Sequence, residues 1–330
     1  MIFSNIKHDS FIEVWAGEGL PMISVLMPLY KQVHYIKSAL YSILSQRGVV
    51  VEIIISDDAS FDGTFDLAWE SVQYWLTKNG SKHRVVMRSG SKRLWRDHLP
   101  LLVDNATCDI VCQAHGDDES HPDRARITVD LFKQFPRLSM LACEPTLVNE
   151  LGELIGSERP LNPKIEVTRF SYKSIMEGHS CLIGFSQAWR VGVMRKFERL
   201  DRSFSAVAHD RILAFRASLV GDVMLINAQL IRRREHSLAA SKLMFIEPGR
   251  FAWALACLTA LNAMKTDLYQ AKVMAVLTDA LYLELISQID SLIINNTYDL
   301  TRAYCLHAQT GTQITWVDED TLLRLRSNQS

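Results

Sequence analysis

The chain has little with which to staple, tether or strongly charge itself. Its six cysteines in 330 residues are Cys108, Cys112, Cys143, Cys181, Cys257 and Cys305. They are scattered and form no Cys-x-x-Cys pair, which argues against structural zinc. A disulfide framework is not expected at this length, so a reducing compartment fits best. Charge of one sign is also missing: 36 Lys and Arg against 37 Asp and Glu leave a formal net charge of −1. A nucleic-acid partner needs a concentrated basic surface, so none is expected. No apolar run reaches the length of a membrane span; the nearest, Phe251 to Met264, is short and carries Thr259 and Asn262. Lys7, His8 and Asp9 interrupt the N-terminus before the apolar core of a signal peptide could form. Internal repeats and low-complexity segments are absent. These absences describe a cytoplasmic protein, with peripheral attachment to the inner face of the membrane left open.

What is present is a globular composition, 48% hydrophobic and 22% charged, enough for one large domain or two smaller ones. The first half alternates strand and helix signals. Ile23 to Met27 is a short apolar run closed by Pro28, and Val49 to Ile55 is nearly all β-branched, as a strand buried on both faces should be. Arg84 to Met87, Asp109 to Cys112 and Ser139 to Cys143 read as further strands. Helical spacing covers His34 to Gln46, Thr64 to Lys78 and Pro122 to Phe135. Such alternation predicts an α/β fold with a doubly wound, mostly parallel sheet. In the second half, Asn149 to Gly152 reads as a hairpin turn and Arg159 to Lys164 as a loop. Gln187 to Phe197 and Asp210 to Leu219 read as helices, and Val223 to Ile231 as a strand. From Pro248 to about Asn295 the spacing is helical. The expected division is an N-terminal extension at 1–20, an α/β domain at 21–240 and a helical C-terminal region at 241–330.

In a doubly wound sheet, ligands bind beyond the carboxyl ends of the strands. Here those ends carry acid. The strand ending at Ile55 runs into Ser56-Asp57-Asp58, and the one ending at Cys112 runs into Gly116-Asp117-Asp118-Glu119. Crowded carboxylates repel unless a cation or proton neutralises them. Magnesium-like cations are often held by one or two carboxylates together with substrate phosphates. A solvated loop capping the next helix is the plainer reading of the second cluster, and the residues alone do not choose between the two. In the first cluster, Asp58 reads as an acceptor for a nucleoside base or ribose, whereas Asp62 and Thr64 read as caps of the following helix. No glycine-rich, lysine-bearing loop follows the first strand, which counts against a nucleotidyltransferase. Trp189, Cys181 and His179 are read as core residues.

Taken in order, Pro28-Leu29-Tyr30, Ser45-Gln46, IIISDDASFDGT at 53–64 and GDDESHPDR at 116–124 resemble the family 2 glycosyltransferases, which have the GT-A fold. The resemblance spans about residues 21–240. It implies transfer of a sugar, with inversion, from a nucleotide sugar, expected to be a UDP-sugar, to a glycan or glycolipid hydroxyl. The implied setting is bacterial surface polysaccharide or glycolipid synthesis. It also implies a divalent metal cofactor, Mn2+ or Mg2+. On this resemblance Pro28 and Tyr30 line the nucleotide pocket, Asp58 contacts the base and Asp57 supports it. Asp117 matches the metal-binding aspartate that ends the family's Asp-x-Asp motif, and Asp118 is a second metal ligand. The first position of that motif is His115 here. In His209-Asp210-Arg211, Asp210 matches the family's catalytic base, with His209 in place of the usual preceding acid. Arg234 and His236 match a family arginine and histidine on the donor diphosphate. Two other readings stand beside this one: a donor-binding protein of the same fold that has lost catalysis, and a nucleotidyltransferase. The C-terminal helices would pack on the catalytic domain, mediate a homodimer or touch a membrane.

Overall fold

The computed structural model describes residues 8–94, 97–159, 165–178, 182–198, 206–236 and 249–310. Cys181, His179 and most of the expected loop at 159–164 lie outside the described residues. By its internal contacts the chain divides into two compact units. The first comprises Met1–Arg202 with Leu213–Glu235, and the second comprises Ser203–Ile212 with His236–Ser330.

The first unit is built on a ten-stranded sheet. In chain order its elements are β1 (Ile12–Trp15), β2 (Ile23–Leu29), α1 (Ile36–Leu44), β3 (Val51–Asp57), α2 (Thr64–Asn79), β4 (Arg84–Ser89), α3 (His98–Asp104), β5 (Ile110–Gln113), β6 (Glu119–Ser120), α4 (Arg124–Gln134) and β7 (Leu138–Val148). They continue through β8 (Val167–Phe170), α5 (Tyr172–Met176), β9 (Ala188–Arg190), α6 (Gly192–Arg195), α7 (Ala206–Val220) and β10 (Asp222–Arg234). The strand order is β1-β4-β3-β2-β5-β9-β7-β10-β6, with β8 also paired to β10. Strands β4, β3, β2 and β5 run parallel, as do β7 and β10. Every residue of β3 is buried, the expected state of a β-branched strand covered on both faces.

The chain leaves β2, builds outward through β3 and β4, and returns to place β5 on the other side of β2. That reversal is a topological switch point, where open α/β sheets bind their ligands. The pairing shows how it opens. Strand β2 pairs with β3 from Ile23 to Leu29, but with β5 only from Ser24 to Leu26. Pro28 therefore sits where the ladder to β5 has already ended, a position that tolerates a residue lacking a backbone donor.

The stretch Gln187 to Phe197, expected as a helix, is instead a strand followed by one short turn of helix. Strand β9 is inserted antiparallel between β5 and β7, with Trp189 fully buried. Tertiary pairing overrides a weak local preference in so short a segment. The core reading of Trp189 holds. The two-residue β6 and the edge strands β1 and β8 are also additions to the expected set. The hairpin turn holds: Gly152 N–H donates to Asn149 O at 3.0 Å, and Gly152 has φ +82°.

The second unit contains the first part of α7 and two long helices, α8 (Gly249–Val273) and α9 (Asp279–Thr310). Leu261, Met264, Leu268, Leu285 and Ile289 are fully buried within it. Lys265 Nζ meets Asp290 Oδ1 at 2.6 Å. Arg211 lies beside Cys257, and burial lowers the arginine's pKa and raises the thiol's. No helix among the described residues is long and apolar enough to cross a membrane.

Candidate active site

The two acidic clusters flank β2 at its carboxyl end. On the β3 side, Asp58 N–H donates to Leu29 O at 2.9 Å. The Asp58 carboxylate accepts Leu94 N–H at 2.6 Å, and Arg93 Nε lies 3.4 Å from its other oxygen. The Arg93 guanidinium is 3.4 Å from the Tyr30 ring centroid, in cation–π range. Tyr30, Asp58 and Arg93 thus form one group. Asp57 is buried and accepts Ser60 N–H at 2.8 Å. Its Oδ1 has no hydrogen-bond partner among the described residues. Burial raises its pKa, against the Ser60 bonds that lower it. A cleft of about 280 Å³ beside Asp57 is lined also by His8, Ser60, Phe61, Phe65 and Gly90; it does not include Asp58, Tyr30 or the second cluster.

Asp62 and Thr64, expected as caps of α2, do not hold that position: Gly63 is the N-cap, with no side-chain cap bond, and the two residues instead bond each other and the turn after β2. Asp62 Oδ1 accepts the Thr64 N–H at 3.0 Å and its hydroxyl at 2.6 Å, and Thr64 Oγ1 accepts Gln32 N–H at 2.8 Å. This chain of bonds ties the turn after β2 to the start of α2.

On the β5 side, Gly116 is pressed against that same turn. A Cβ there would meet Gln32 Oε1 at 2.4 Å and Leu29 Cδ2 at 2.8 Å, so any larger residue requires those side chains to shift. Around it, ligand atoms of His115, Asp117 and Asp118 all lie within 4.8 Å of one another. His115 Nδ1 is 4.0 Å from Asp118 Oδ2. Two metal–ligand bonds of roughly 2.1 Å each span about that distance, so His115 and Asp118 are spaced for one divalent cation, with Asp117 beside them. Asp118 is buried, and burial and then the Asp117 charge push its pKa up to about 6, with His115 opposing. A cation would relieve that repulsion.

Arg234, the last residue of β10, braces this loop. Its backbone N–H donates to Asp118 Oδ1 at 2.9 Å. Its guanidinium donates to Asp117 O, Asn149 O, Glu150 O and Glu119 Oε1 at 3.0 to 3.3 Å. The side chain is 6% exposed, so the group expected on a diphosphate is directed in this structure at the protein's own loop. Two further residues hold the loop from behind. Gln46 donates to His121 O at 2.8 Å and accepts Ala125 N–H at 2.9 Å. Arg124 donates to Ser120 Oγ, Gln113 O and Phe185 O.

The structure therefore brings together Pro28, Tyr30, Asp57, Asp58, Asp117, Asp118 and Arg234 in the first unit. Asp210 and His236 belong to the second. Asp210 is half-buried on α7 and His236 is buried. Asp210 is not in the first turn of that helix, so a simple dipole role at a helix start does not account for it. Gln32, Arg93 and the bracing part of Arg124 were not foreseen. Arg124 ends the motif at 116–124, and its burial could have been suspected from that; Gln32 and Arg93 carry no signal local to their own segments.

Comparison with known proteins agrees with this geometry. The model of glycosyl transferase family 2 matches residues 24–189, half of the chain, including both acidic clusters. EpsE of Bacillus subtilis (strain 168), named as a glycosyltransferase, is 27% identical over 132 residues, 40% of this chain and 46% of its own length. The match thus spans about half of that relative. Among solved structures, S. aureus TarS 1–349 in complex with UDP-GlcNAc superposes with a TM-score of 0.58 at 14% identity, over 84% of this chain and 73% of that one. Mannosyltransferase PcManGT from Pyrobaculum calidifontis, in complex with GDP-Man and Mn2+, gives 0.50 at 14%, over 96% and 83%. At such identities the likeness shows the fold, a mostly parallel α/β sheet of the GT-A type followed by C-terminal helices. With the fold, the ordered motifs and the family match in agreement, the chain belongs to glycosyl transferase family 2.

Proposed function

We propose that the protein transfers a sugar from a nucleoside-diphosphate sugar, expected to be a UDP-sugar, to a hydroxyl of a glycan or glycolipid, with inversion. The observation that carries this reading is the pair of acidic clusters on either side of the carboxyl end of β2, the second of which gathers ligand atoms of His115, Asp117 and Asp118 within 4.8 Å of one another. TarS and PcManGT, which share the fold, are complexed with UDP-GlcNAc and with GDP-Man and Mn2+. The setting we assign is bacterial surface polysaccharide or glycolipid synthesis at the cytoplasmic side.

Pro28 and Tyr30 would line the nucleoside pocket, Asp58 would accept from the base, and Asp57 would fix the turn that presents Asp58. Asp117 and Asp118 would hold the divalent ion. When bound, such an ion supplies positive charge against the departing diphosphate. Arg234 acts on the donor through the loop it braces, and His236 is placed on the donor side by the resemblance alone. Asp210 takes the proton from the attacking hydroxyl. Attack opposite the leaving group forms the new C–O bond as the old one breaks, which inverts the centre without an enzyme nucleophile.

His115 and His209, where the family has acids, favour a second reading: a donor-binding protein without turnover. One set of measurements decides. Asp210→Asn is expected to keep donor affinity and lose ~100- to 10,000-fold in turnover, the usual worth of a positioned base. Asp117→Asn is expected to lose metal-dependent donor binding as well. Donor binding by the wild type without turnover establishes the second reading. Release of pyrophosphate would instead make the protein a nucleotidyltransferase. A product with retained configuration removes the single-step mechanism, and near-normal turnover of Asp210→Asn removes that residue from it.

A further inference from the structure

We propose that His115 is a nitrogen ligand of the bound metal, so that this site takes a first-row transition ion such as Mn2+ in preference to Mg2+. The inference deepens the metal-dependent donor reading above and rests on it.

Three observations carry the inference. First, the loop offers three successive carboxylates, but the fold removes one of them. Glu119 is paired with the Arg234 guanidinium at 3.0 Å, on the element that also binds the Asn149 and Glu150 carbonyls. Second, the fold selects which oxygen of Asp118 remains. Oδ1 accepts the Arg234 backbone N–H, and Oδ2 is the oxygen 4.0 Å from His115 Nδ1. That separation is too long for a hydrogen bond but within the span of two metal–ligand bonds. Third, the imidazole is reachable: its ring meets Phe185 edge-on, with centroids 6.2 Å apart and planes at 72°, and the side chain is 37% exposed, so an ion can approach it from solvent.

The donor set left after these exclusions is His115, Asp117 and Asp118. Magnesium demands oxygen ligands in near-ideal octahedral geometry and keeps its waters. An imidazole in the set disfavours it relative to first-row transition ions, whose affinity for nitrogen rises along the series from Mn2+. A histidine at this position is thus not a damaged carboxylate but a change in which metal the site selects.

The test uses the full chain, MnCl2 and MgCl2, with no sugar donor. Free Mn2+ is followed by its EPR signal, and the bound ion by electron spin-echo modulation, which detects a directly bonded 14N nucleus. Wild type is expected to show 14N modulation. His115→Asp is expected to bind Mn2+ still, to lose the modulation, and to need about tenfold less Mg2+ to displace half the Mn2+, the lower end of what changes around a metal site cost. Absent modulation in the wild type, or modulation that persists in His115→Asp, overturns the inference. If Mn2+ binds through Asp117 with no 14N signal, only the role of His115 fails. If the wild type binds no Mn2+ even when UDP is added, the metal-dependent reading fails with it.

Discussion

Gly116 shows most directly how one residue governs the site. With no Cβ, it lets the side chains of Gln32 and Leu29 lie against the acidic loop, and the backbone of Gln32 is joined to Thr64 and Asp62 on the β3 side. Gly116→Ala should displace those two side chains and disturb the packing of the loop on the turn. The expected cost is about 1–3 kcal/mol of stability, as for other forced overpacking, with weaker Mn2+ and nucleoside-diphosphate binding. Denaturant melts and calorimetric titration measure both. Gly192→Ala is the control, because a Cβ there meets nothing within 4 Å. Equal behaviour of the two variants would show that the close packing at Gly116 does not set the loop.

At the scale of elements, α3 packs on β2, and a buried histidine ties it to β3. His98 Nε2 lies 2.9 Å from Ser56 Oγ, one residue before Asp57. Burial, above all, drives its pKa down to about 4, against the pull of Asp58. An unfolded histidine titrates near 6.5, so the unfolded chain binds the proton first as pH falls. The contribution of the neutral, docked ring is therefore complete above about pH 6.5 and is lost progressively down to about pH 4, at roughly 1.4 kcal/mol per unit. His98→Gln has no proton to gain. The stability difference between wild type and this variant should shrink, or change sign, across that window and stay level above it. A difference that is flat from pH 7 to 4 would mean that His98 is not buried neutral. Since Ser56 leads directly into the Asp57–Asp58 turn, the same docking helps fix the base side of the crevice.

At the scale of the molecule, the open question is what the helices of the second unit meet. Where α8 gives way to α9, Tyr269, Val273, Met274, Val276 and Leu283 are exposed, an apolar grouping at one end of the hairpin. Lys272 there is paired with Asp279 at 3.1 Å, and basic residues are otherwise sparse from 251 to 295. A helix that lies on an anionic membrane usually combines an apolar face with a basic one, so self-association is the expected use. Light scattering should find a dimer that Val273→Glu with Leu283→Glu converts to monomer. Wild-type protein that stays monomeric and sediments with anionic vesicles would assign the same residues to a membrane surface instead.

The sequence by itself determined the α/β alternation and the identity of the acidic strand ends. These are local signals. β-branched runs such as Val51 to Ile55 and helical spacing such as Ile36 to Leu44 bury themselves in any parallel sheet, and the residues just past each strand are adjacent to it in the chain. Only the tertiary structure decided how the carboxylates are used. Arg234 meets Asp117, Asp118 and Glu119 across more than a hundred residues of chain, and Asp58 meets Leu94 across 36. Nothing in the spacing of these residues announces either contact. Strand β9 escaped notice for the same reason, since three residues carry no periodicity and owe their form to the gap between β5 and β7. Local preference fixes which elements form; the long-range bonds that select one oxygen of Asp118 and withdraw Glu119 exist only once the sheet has brought β10 alongside β6.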